Sequence, residues 1–69
     1  MAERLCNRLR EIRAERDLTQ AQLAELVGVS RKTINTVENA VFVPSSLLAL
    51  KLARTLGEPV ESLFWLSEA

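Results

Sequence analysis

The chain has 69 residues with nine Lys or Arg, nine Asp or Glu, two Gly, two Pro, one Cys and no His. This length holds one small domain, since typical domains run to about 100–150 residues, and 48% apolar content excludes a disordered composition. No apolar run exceeds four residues, so neither a membrane span nor a signal-peptide core is expected. A lone cysteine forms no intramolecular disulfide, and Cys6 fits a reducing, cytoplasmic setting. A core this small supplies about 3–5 kcal/mol unaided, so oligomerisation is the expected further support.

The same inventory points away from an enzyme. Without His there is no imidazole base and no metal site of the usual His/Cys kind. Gly28 and Gly57 stand alone, so no Gly-rich phosphate loop is present. Glu11 and Glu15, one helical turn apart beside Arg8, Arg10 and Arg16, read as a solvated face rather than acid/base machinery. No catalytic residue, metal ligand or cofactor is assigned.

In chain order, apolar residues recur at helical spacing. Leu5, Leu9 and Ile12 mark one face of a first helix ending near Asp17. Thr19 is a good N-cap for a second, with Leu23, Ala24 and Val27 on its inner face and Gly28 at its C-terminal stop. Val29 should be buried in the turn, and Ser30 caps a third helix that buries Ile34 and Val37 and ends near Asn39. The segment from Ala40 to Pro44 is the one real loop. Ser45 or Ser46 caps a fourth helix through Leu56, Gly57 closes it, and Pro59 suits the first turn of a short fifth helix carrying Val60 and Leu63. The tail Phe64-Trp65-Leu66-Ser67 either extends that helix or forms a short strand against the segment around Leu5 to Asn7. The expected fold class is all-α, with five short helices and the form of the tail open.

Residues 19–39 carry the functional signal. Two short helices joined through a tight Gly-containing turn make a helix-turn-helix, whose second helix projects to enter a major groove. On the third helix, Ile34, Val37 and Glu38 point one way, while Lys32, Asn35, Thr36 and Asn39 point the other, behind Ser30 and Arg31 at the leading end. That outer face has two cations and no acid, although cations at a helix N-terminus oppose the macrodipole. Arg and Lys donate to guanine, Asn pairs with adenine, and Ser or Thr serves either role. The zero net charge conflicts with the basic footprint expected of a nucleic-acid binder. Its distribution repairs part of this: residues 1–54 carry net +3, whereas residues 55–69 hold three glutamates and no cation.

The motifs Leu9-Arg10-x-Ile12-Arg13, Leu18-Thr19-Gln20-x-x-Leu23-Ala24, Val27-Gly28-Val29-Ser30, Thr33-Ile34-x-x-Val37-Glu38-Asn39, Pro44-Ser45 and Leu52-Ala53-x-x-Leu56-Gly57 run in order over residues 9–63. On them the chain resembles the Cro/repressor (Xre-type) helix-turn-helix regulators, most of all the small cytolysin-repressor-like members. The resemblance implies a lambda-repressor-like five-helix domain that binds double-stranded DNA as a homodimer. It implies that Gln20 touches a phosphate and buttresses the reading helix. Ser30, Arg31, Lys32, Asn35 and Thr36 would face bases or flanking phosphates, and Asn39 would clamp a phosphate of the opposite strand. Arg13 and Glu38 match a partly buried structural ion pair. The loop Ala40-Val41-Phe42-Val43 departs from the pattern, because many relatives carry Gly and then basic residues there. Phe42 is expected to plug the core.

Leu47 and Leu50 cannot share the inward face of Leu48, Leu52 and Leu56, and Val60, Phe64, Trp65 and Leu66 crowd the C-terminus. Residues 47–66 therefore form the expected dimerisation region, with Leu50, Val60, Leu63, Phe64, Trp65 and Leu66 at the interface. Cys6 is expected to be a small filler near the tail. The function expected is a cytoplasmic, homodimeric repressor on a pseudo-palindromic operator. An antitoxin (with a toxin as protein partner), a restriction–modification controller, and an interaction module without DNA are the alternatives.

Overall fold

The computed structural model describes residues 3–68. The order is β1 (Glu3–Asn7), α1 (Leu9–Glu15), α2 (Gln20–Val27), α3 (Arg31–Glu38), α4 (Ser46–Leu56), α5 (Val60–Leu63) and β2 (Phe64–Glu68). The tail is a strand, antiparallel to β1, with Asn7 opposite Phe64, Cys6 opposite Trp65 and Leu5 opposite Leu66. Leu5 thus belongs to β1 and not to the first helix as expected. Pairing with the tail keeps Leu5 in a strand, and Asn7 anchors the start of α1 behind it: its Oδ1 accepts from Leu9 N at 3.0 Å and its Nδ2 donates to Val37 O at 3.0 Å. Arg8 N in turn donates to Leu63 O at 3.0 Å, so the backbone before α1 is held by the end of α5.

The caps follow the sequence closely. Thr19 and Gln22 form a reciprocal capping box at α2, with Gln22 N donating to Thr19 Oγ1 at 3.0 Å and Thr19 N to Gln22 Oε1 at 2.8 Å. Gly28, left-handed at φ +79°, turns the chain so sharply that Ser30 already caps α3. Val29 is half-buried in that turn, packed against the core. Ser45, rather than Ser46, caps α4, and Pro59 occupies the N-cap of α5, one position ahead of the first turn.

Leu9, Leu23, Ile34, Leu52 and Leu63 are fully buried, one from each helix, so the five helices share one core. Leu63 and Phe64 belong to that core, which corrects their assignment to the dimer surface. The α5–β2 junction, packed against α4, turns both side chains into that core. Phe42 is corrected as well. It is 48% exposed, because Val41 N and Phe42 N both donate to Thr36 O (2.9 and 3.1 Å) and hold the loop outside a core already filled by Val37 and Leu48.

Ala40 adopts φ +59°, a left-handed conformation that costs a residue with a Cβ about 1 kcal/mol. Ala40→Gly is expected to stabilise the protein by about 0.5–1 kcal/mol in chemical denaturation, and a loss of stability would show that the turn carries no strain.

Candidate nucleic-acid interface

Helix α3 separates into two faces. Ile34 and Val37 are buried, and the Glu38 side chain is 0% exposed. On the opposite face Arg31, Lys32 and Asn35 are exposed and line a shallow hollow of about 300 Å³. The first turn of α3 holds no acid. The other sequence-selected residues are more constrained. Ser30 Oγ accepts from Thr33 N at 3.1 Å and is committed to the cap. Half-buried Thr36 donates its hydroxyl proton to Thr33 O at 2.9 Å.

The Glu38 carboxylate organises the polar side of the helix-turn-helix. Arg13 reaches it from α1 with Nε to Oε2 at 2.6 Å and Nη2 to Oε1 at 3.2 Å, while Arg13 Nη1 donates to Leu18 O at 2.7 Å. Gln20, the first residue of α2, donates Nε2 to the same Oε1 at 3.0 Å, and Arg10 adds Nε at 3.4 Å. Burial by itself raises the Glu38 pKa. Hydrogen bonds from Arg13 and Gln20 and the Arg13 charge outweigh it and hold the carboxyl below its ordinary value of 4.5. The expected Arg13–Glu38 pair is therefore present, and it ties α1, α2 and α3 together.

Gln20 and Asn39 sit where the resemblance places them, but their amides are already engaged. Gln20 Nε2 donates to Asn35 Oδ1 at 3.2 Å as well as to Glu38. Asn39 Nδ2 donates to Asn35 O at 3.0 Å and to Asn35 Oδ1 at 3.2 Å, and its Oδ1 accepts from Arg10 Nη2 at 2.9 Å. The sequence alone places Arg10 on a solvated face, yet here it joins the network. Its position three residues before Arg13, one turn along the same side of α1, is the signal that would have found it. Glu11 and Glu15 are exposed beside Arg8 and Arg16, as a solvated face requires. Among the described residues, no group of Cys, Asp and Glu is placed to hold a metal ion, and no helix is long and apolar enough to cross a membrane.

A family model described as helix-turn-helix (HTH_3) matches residues 9–63. The chain belongs to the Xre-type helix-turn-helix family. Its class is that of DNA-binding transcriptional regulators. The chain is 42% identical over 62 residues to the HTH-type transcriptional regulator YgzD of Bacillus subtilis, covering 90% of this chain and 94% of that protein. It is 49% identical over 61 residues to an HTH-type transcriptional regulator of Methanothermobacter thermautotrophicus, covering 87% and 88%. In structure it is similar to the restriction–modification controller protein C.AhdI from Aeromonas hydrophila, with TM-score 0.76 and 36% identity over 80% of this chain and 83% of that one.

Two outcomes follow from the Glu38 cluster. Arg13 is 15% exposed, so Arg13→Ala strands a buried carboxylate and is expected to cost about 3 kcal/mol, against under about 1 kcal/mol for the more exposed Arg10→Ala. Equal losses in denaturant melts would show that the two arginines contribute alike. Because the folded Glu38 pKa is depressed, its contribution to stability is present above pH 4.5 and is lost as pH falls through the folded value. Melting temperature measured from pH 7 down to pH 3 should fall on the acid side, and Glu38→Gln should remove much of that slope.

Proposed function

We propose that this regulator is a homodimeric repressor that inserts α3 into the major groove of each half of a pseudo-palindromic operator and excludes polymerase from the promoter. The observation that carries the reading is the outward face of α3: Arg31, Lys32 and Asn35 exposed together around one hollow, with the acid of the same helix turned inward and neutralised. Arg31 and Lys32 supply cations to base edges or flanking phosphates. Gln20 and Asn39 act through Asn35 and Glu38, and the backbone N–H of Gln20, at the first turn of α2, is the donor suited to a phosphate. Ser30 and Thr36 shape the ends of the reading surface.

A second copy of the chain is the expected cover for the apolar residues left outside the core. Leu50 is 59% exposed, Trp65 41% and Leu66 64%, with half-buried Val60 on the intervening helix. A two-fold axis beside α5 sets two α3 helices one DNA turn, about 34 Å, apart. Cys6, directly opposite Trp65 in the ladder, is half-buried on the same face of the sheet. The likeness to a restriction–modification controller favours one variant of this reading, the same DNA contact in a controller circuit. Restriction and methylation genes beside this one would decide for it.

Sequencing of duplexes retained from a randomised library at two salt concentrations tests the proposal. Enrichment of an inverted repeat with half-sites about one turn apart supports it, and weak salt-sensitive retention without a consensus overturns it. Lys32→Ala is expected to weaken operator binding about tenfold with an unchanged melting temperature. Trp65→Ala should move sedimentation at low micromolar concentration towards the monomer, and unchanged sedimentation would remove Trp65 from the interface.

A further inference from the structure

The hydrogen-bonding capacity around Asn35 decides which base edge this residue can read. A carboxamide has one oxygen with two lone pairs and one NH2 with two protons. Both lone pairs of Asn35 Oδ1 are taken, by Gln20 Nε2 and by Asn39 Nδ2, each at 3.2 Å. Those two donors are themselves held. Gln20 Nε2 also bonds Glu38 Oε1 at 3.0 Å, and Asn39 is fixed through its Oδ1 by Arg10 at 2.9 Å and through its Nδ2 by Asn35 O at 3.0 Å. Turning the Asn35 amide over would set its Nδ2 against two donors and break both bonds. The group left for an outside partner is Nδ2, which has none among the described residues.

Arg31 and Lys32, the other two residues lining the hollow, are donors without acceptors. We infer that the hollow is an all-donor reading surface in which Asn35 selects guanine and rejects adenine and cytosine. Guanine presents two acceptors, N7 and O6, on its major-groove edge and thymine one, O4, beside a methyl group, whereas adenine sets an NH2 donor beside its single acceptor N7 and cytosine presents an NH2 donor. The familiar pairing of Asn with adenine needs a free Oδ1 to accept from N6, and here that oxygen has no lone pair to offer. Gln20 and Asn39, steadied by Arg10 and Glu38, are positioning residues that set the base choice without touching the base. The inference rests on α3 entering the major groove as proposed above.

The test is the same library selection, run on the native chain, on Asn35→Asp and on Gln20→Leu combined with Asn39→Ala, with melting curves recorded for each. In the native chain, one position per half-site should favour guanine over adenine by about fivefold, the worth of one hydrogen bond. Asn35→Asp keeps an oxygen for Gln20 and Asn39 and turns the outward group into an acceptor. Preference at that position should then pass to cytosine while the rest of the consensus persists. The double variant frees Oδ1, and adenine should rise there relative to guanine. An inverted repeat in which the Asn35-dependent position is adenine overturns this inference and leaves the proposed function standing. So does a guanine preference unchanged in Asn35→Asp, an exposed substitution that decides the matter even if the double variant melts below the assay temperature. Failure of the native chain to enrich any sequence overturns both.

Discussion

The buried carboxylate of Glu38 is the constraint on which the rest of the helix-turn-helix depends. A charge on the inward face of α3 must be neutralised where it stands, because water does not reach it. Arg13 does so from α1 with two hydrogen bonds, and Gln20 from the first residue of α2 with a third. Three helices that already share one apolar core are thereby held in one relative placement. In a small domain with a single cysteine, that placement is what a DNA groove would test under the proposed function, since a reading helix that rocks presents no fixed donor pattern. The arrangement also divides the cations of α1 and α3. Arg13 is spent on the fold, Arg10 on the ends of the network, and Arg31 and Lys32 are left facing outward.

Under the proposed function, the network reaches beyond stability into recognition chemistry. Gln20 and Asn39 are amides with both donors and acceptors, the kind of residue a simple face diagram assigns to DNA. Their donor protons are already committed to Asn35 and Glu38. The donor surface left free on α3 is accordingly smaller than its polar face, and its hydrogen-bonding character is less mixed than its composition. Gln20 from α2 and Asn39 at the end of α3 engage the amide of Asn35, which is how, under the inference above, residues that touch no base would alter the choice of base.

The apolar surface follows a parallel economy. A 69-residue chain has room for one core, and that core takes Leu63 and Phe64 from the C-terminal segment. Trp65 and Leu66 follow directly in β2 and are left outside, as is Leu50 on α4. The strand pairing that closes the fold fixes this division, because Arg8 N is held by Leu63 O and Phe64 stands opposite Asn7. A second protomer would meet Trp65 on a backbone already held in register by β1.

Local chemistry was legible without coordinates. Helix periodicity, the caps Thr19 and Ser30, a cap at Ser45 or Ser46, the stops at Gly28 and Gly57, and the inward set Leu23, Ala24, Val27, Ile34 and Val37 all depend on residues within a few positions of one another, where steric and hydrogen-bonding rules act directly. The Arg13–Glu38 pair was legible too, through a motif resemblance rather than through spacing. Only the tertiary structure decided the rest. Leu5 lies in a strand because a tail some sixty residues away pairs with it, and helical spacing cannot register such a partner. Phe42 stands outside a core whose volume other residues had already filled, and Leu63 and Phe64 stand inside it because the chain turns back under α4. The commitment of Asn35 Oδ1 needed three helices in place, since a side chain's type names its donors and acceptors but its neighbours determine which of them remain free.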